Sequence, residues 1–160
     1  MAPLEHPPDR DETEAERFDR NLNELLGEVR ATLPGVQVLF AFLLTVPFAV
    51  GFRGVTDFQR DVYFATLMLT GIATVLLIGP SAYHRINFRR GDKEHIVDVS
   101  NAMLIAGIAV LGLAMAGAVL LVTDVLFSPA TAVVATAGLG LFALVLWFGA
   151  PLWRRRRTGV

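Results

Sequence analysis

His95 and Asp98 stand three residues apart, a spacing that puts both on one face of a helix, and His84 precedes them across a short polar loop. An imidazole beside a carboxylate can ligate a metal or respond to protons near neutral pH. Two histidines without a third fixed ligand do not complete a metal centre. The trio His84, His95 and Asp98 is therefore a candidate pH-sensing cluster, and no metal or other cofactor is expected. Familiar enzyme signatures do not occur: there is no nucleophile elbow, no phosphate-cradling glycine loop and no His-Glu-x-x-His helix. With no cysteine there is also no thiolate nucleophile. The expectation is a protein that is not an enzyme.

The remaining chemistry is polar and uncharged. Gln37, Thr45, Thr66, Thr70, Thr74 and Asn101 are embedded in long apolar runs, and the three later threonines recur every fourth residue to form a stripe. Two accounts fit such a stripe. Each hydroxyl can bond a carbonyl one turn back or a neighbouring helix, or the six residues can line a polar path for an ion. No Asp, Glu, Lys, Arg or His falls within 36–52, 64–81, 99–123 or 130–152. A proton-coupled carrier needs a titratable group near the midplane, and ionisable groups inside a bilayer are the usual mark of such a pathway.

The elements that must position these residues are apolar helices. Mean hydropathy is +0.54 and 54% of residues are hydrophobic. Four runs, about 36–52, 63–83, 99–122 and 130–153, approach or exceed the roughly 20 residues that span a hydrocarbon core. The first is the shortest, and Pro47 predicts a kink within it. Thr56 or Asp57 is placed to cap the second span, and Ser128-Pro129 to open the fourth. Tyr63, Tyr83 and Trp153 fall at span ends, where amphipathic rings favour the headgroup level.

Ahead of the spans, residues 1–14 are acidic and proline-containing, which predicts a disordered tail. From 15 to 35 the pattern changes: Phe18, Leu22, Leu25, Leu26, Val29 and Leu33 share one face, with Pro34-Gly35 as the expected stop. This predicts an amphipathic cytoplasmic helix, packed in the interface, on the protein's own loop or on a partner.

Basic residues alternate between the runs. The N-terminal segment carries Arg10, Arg17, Arg20 and Arg30, the first connection Arg53 and Arg60, and the second Arg85, Arg89, Arg90 and Lys93; the third has none, and 154–160 begins with Arg154, Arg155, Arg156 and Arg157. That alternation predicts a multi-pass plasma-membrane protein with both termini cytoplasmic. The arginine tail would face anionic lipid headgroups. Nucleic acid is not an expected partner, because the tail directly continues an apolar span. Ala102 with Ala106, Gly112 with Ala116, and Gly138 with Gly140 and Ala143 offer small-residue surfaces for packing or oligomerisation. The strong charge bias makes any homo-oligomer parallel.

Several stretches carry a family resemblance: Leu22 to Arg30, Leu33 to Phe48, Thr56-Asp57-Phe58-Gln59-Arg60, Pro80-Ser81-Ala82-Tyr83-His84-Arg85 and Val119 to Asp124. They resemble an uncharacterised family of small actinobacterial integral membrane proteins, a domain of unknown function with four spans. That resemblance implies no catalytic residues; some members are labelled sodium:proton antiporters. The expected architecture is all-α, a four-helix transmembrane bundle with an N-terminal amphipathic cytoplasmic helix. The expected function is non-enzymatic assembly or partner binding in the membrane, with a small ion transporter or channel as the alternative.

Overall fold

A computed structural model of the chain describes residues 14–87 and 93–158. The expected acidic tail, all but Glu14 of it, and positions 88–92 with Arg89, Arg90 and Asp92 lie outside the described residues, as does the side chain of Arg155. Among the described residues every regular element is helical: α1 (Glu14–Thr45), two 3₁₀ turns (Val46–Phe48 and Val50–Gly54), α2 (Asp57–Asn87), α3 (Lys93–Leu126), α4 (Pro129–Leu144), a π turn (Val145–Gly149) and α5 (Ala150–Thr158). Four stretches, Arg20–Phe48, Asp57–Asn87, His95–Leu126 and Pro129–Arg154, are long and apolar enough to cross a bilayer.

Periodicity explains how the first three helices meet. On α2 the buried positions are Tyr63, Thr66, Thr70, Ala73, Leu77 and Pro80, an alternating three–four spacing that keeps one seam on one side. On α3, Ile96, Ser100, Leu104 and Ala114 are buried along a matching line. On α1, Leu22, Val29, Val36 and Leu43 recur at every seventh residue, and none is more than 9% exposed. Val29, Val36, Leu77 and Leu104 join as one core cluster, with Leu25, Leu33, Ile108 and Leu111 against it.

Glycines set how closely helices approach. A Cβ at Gly117 would overlap the Thr66 hydroxyl, and one at Gly107 would sit 2.9 Å from Leu77 Cδ2. These two glycines let α3 lie tightly on α2, as small residues do in membrane helix pairs. α4 packs on α3 and makes no close approach to α1 or α2 among the described residues. Its π turn presents Trp147 to α3, where Gly112 provides the seat: a Cβ there would be 3.2 Å from Trp147 Cζ3. The bundle is thus three helices around one seam, with the fourth added on one side.

Two expectations about α1 are corrected. The helix runs without interruption through Pro34 and Gly35, so the amphipathic segment is the first half of the first spanning helix and not a separate element. An interior proline forfeits a hydrogen bond and disfavours the helix by about 3 kcal/mol. Burying Leu22 and Val29 on the same line as Val36 and Leu43 is worth about 1.5–3 kcal/mol for each side chain. A break at Pro34 would take both off that line, so packing prevails. Pro34 itself is exposed. Pro47, by contrast, ends the α-helix: α1 stops at Thr45 and Pro47 sits in the 3₁₀ turn that follows.

The capping expectations resolve to one residue each. Thr56 caps α2 in a reciprocal box, its N–H donating to Gln59 Oε1 (3.0 Å) and its Oγ1 accepting from Gln59 N–H (3.2 Å). Ser128 caps α4, accepting from Thr131 N–H at 3.3 Å, with Pro129 in the first turn.

Candidate functional site

The threonine stripe lies on the α2 seam. Thr66 and Thr70 are buried and Thr74 half-buried. Thr66 donates to the Val62 carbonyl (2.7 Å), Thr70 to Thr66 (2.8 Å) and Thr74 to Thr70 (2.8 Å). The hydroxyl protons are thus committed to their own helix. The other three polar positions are exposed on different helices: Gln37 and Thr45 on α1, with Thr45 donating to the Phe42 carbonyl at 2.7 Å, and Asn101 on α3. The six residues therefore divide between a packed seam and the outer surface of the bundle.

At the Arg85 end, Tyr83 and His95 meet ring edge to face with centroids 6.3 Å apart. His95 and Asp98 are exposed on α3, whereas His84 is half-buried on α2 and lines a groove against α1. The trio is split between two surfaces. No group of three His, Cys, Asp or Glu able to hold a metal occurs among the described residues. The basic tail is α5, helically continuous with α4 through the π turn; the Arg157 guanidinium lies 4.0 Å over the Trp153 ring.

The opposite end carries a polar latch. Gln59 Nε2 donates to Asp124 Oδ2 at 2.9 Å, joining the start of α2 to the end of α3. Arg60 pairs with Asp57 at 3.0 Å on the exposed rim, a geometry worth little beyond local turn stability. Beneath the latch, Phe52 packs edge to face on Tyr63 at 5.0 Å, and the Tyr63 hydroxyl donates to the Leu43 carbonyl. The Thr56–Gln59 box has a local signature, but its extension to Asp124 spans 65 positions and leaves no local trace.

Small-residue surfaces are also sorted. Ala102 and Ala106 are exposed. Gly112, Ala116, Gly140 and Ala143 line a narrow cleft of about 130 Å³ between α3 and α4. Gly138 has nothing within 4 Å of a Cβ built on it and faces outward. Gly107 and Gly117, both in close contact with α2, were not singled out by spacing of small residues alone. Their signal is their place beside the three–four seam of α3. One further polar group is notable: the Ser100 hydroxyl is fully buried and has no hydrogen-bond partner among the described residues.

Residues 11–151 match a family of unknown function (DUF6328). The chain belongs to that family. No curated protein matches it, and no solved structure does. The family match takes in the whole three-helix seam, the latch and α4. Together with four apolar helices, membership describes a membrane protein of unknown function.

Proposed function

We propose that this DUF6328 member works by assembly in the plasma membrane, with a second copy in parallel orientation or with another membrane protein, and performs no catalysis. The observation that carries this reading is the one-sided attachment of α4. Among the described residues it packs on no long helix but α3, and its outward face, with Val134, Gly138 and Leu141, meets no other helix. An outward glycine lowers helix propensity and gives nothing back within the chain. It allows close approach by another helix.

Charge supports the orientation. Of the described arginines, the end holding the α1–α2 connection has Arg53 and Arg60, while the other end has Arg17, Arg20, Arg30, Arg85, Arg154, Arg156 and Arg157. The excess belongs in the cytoplasm, with both termini. There the arginine tail meets anionic headgroups. The transport alternative draws less support, since the Thr66 and Thr70 hydroxyls are spent on their own helix and Gln37, Thr45 and Asn101 lie elsewhere.

The native chain has no cysteine, so one introduced thiol reports on one position. Gly138→Cys should crosslink between copies, or to one defined partner, in native membranes. Val75→Cys, on the exposed face of α2, should not. Only uncrosslinked monomer at Gly138→Cys would sink the assembly reading. A sodium- or proton-dependent flux in proteoliposomes, above that of empty vesicles, would favour the alternative.

A further inference from the structure

Between α1 and α2, toward the Arg85 end, lies a groove of about 530 Å³, a size usual for pockets that hold small molecules. α1 contributes Leu26, Arg30 and Leu33 to its lining, and α2 contributes Ser81, His84 and Arg85. No carboxylate lines it among the described residues. The two helices run antiparallel, and side chains lean toward the N-terminus of their own helix. Arg30 and Arg85 therefore lean in opposite directions along the groove. Arg30 and Arg85 line the same groove from its two walls. Both side chains are exposed, and neither is paired with a carboxylate among the described residues.

The lining thus has two parts of opposite character. Arg30 and Arg85 supply two planar cations suited to bidentate contact with phosphate oxygens. Leu26 and Leu33 supply an apolar wall that a hydrated anion would leave uncovered. A ligand that satisfies both must be an anion joined to a hydrocarbon chain. Exposed Ile78, seven residues before Arg85 and on the same face of α2, extends the apolar surface. We infer that this groove is a specific site for an anionic phospholipid, with its phosphate held between Arg30 and Arg85 and an acyl chain along Leu26 and Leu33. The site is separate from the basic tail, which lies on α5, and it does not depend on α4 having a partner.

Native mass spectrometry of the full chain in detergent reads the number of lipids bound. Phosphatidylglycerol is expected to give one retained molecule per chain in preference to phosphatidylcholine. Arg30→Gln with Arg85→Gln should weaken that retention at least about tenfold, since both charge-assisted contacts to the phosphate are lost. Replacing Arg154, Arg156 and Arg157 by Gln should leave the single retained lipid in place. Glycerol phosphate, which has the headgroup chemistry without the chain, should fail to compete at millimolar concentration. In the unaltered protein, a photoreactive phosphatidylglycerol should label the peptide containing Ser81, a readout that does not require the variants to fold. The inference is overturned by equal retention of phosphatidylcholine, by loss of retention only with the tail substitutions, by competition from glycerol phosphate, or by labelling confined to α3 and α4.

Discussion

The Tyr63 hydroxyl donates a 2.9 Å hydrogen bond to the carbonyl of Leu43, the acceptor that Pro47, four residues on and without an N–H, cannot serve. A proline that ends one helix is thus answered by a side chain from the next. Tyr63→Phe should lower stability by about 1–2 kcal/mol, the range for a buried carbonyl left without its donor. Pro47→Ala in the Tyr63→Phe background should recover part of this, because alanine restores an N–H. Unfolding in detergent across the four-member double-mutant cycle measures the coupling. Strict additivity would separate the two residues.

Gly117 faces Thr66, whose hydroxyl is itself held by the Val62 carbonyl at 2.7 Å. Gly117→Ala should therefore destabilise by about 1–3 kcal/mol, the usual penalty for overfilling a packed contact. Thr66→Ala removes the obstructing atoms and should relieve most of the loss. Thermal unfolding of the single and double variants decides it; no relief would mean that the helices have already moved apart.

Gln59 holds the Thr56 N–H with one amide atom and Asp124 with the other. Gln59→Glu keeps the first contact and sets two carboxylates against each other at the second. It should destabilise more than Gln59→Ala at neutral pH. Adding a proton to the pair would remove the repulsion, so the deficit should shrink in acid, toward about pH 4. A deficit independent of pH between 4 and 7 would exclude the repulsion.

Ser100 is fully buried with an unbonded hydroxyl among the described residues. Ser100→Ala should raise the unfolding midpoint, since it removes a desolvated polar group at little change in volume. A fall instead would reveal a partner that binds this hydroxyl.

Much of this architecture was legible in the chain. The apolar runs located the four long helices, Thr56 or Asp57 marked the start of α2 and Ser128-Pro129 that of α4, and four-residue spacing put Thr66, Thr70 and Thr74 on one face. Less legible was the continuity of α1 through Pro34, because a local breaker was opposed by burial of Leu22 and Val29 that depends on helices far along the chain. The sorting of the small residues was hidden for a similar reason. Gly107, Gly117 and Gly112 have seats because Leu77, Thr66 and Trp147 happen to face them, and composition does not record who faces whom. His84 and His95 share a connection but not a surface, since each follows the twist of its own helix.

The one-sided attachment of α4 divides the protein by what each part must answer to. A substitution on the α2 seam is constrained from two directions at once, by α1 and by α3. One on the outer face of α4 meets no other helix among the described residues. The proposed assembly would therefore be read at Val134, Gly138 and Leu141, as the fold is read along the seam.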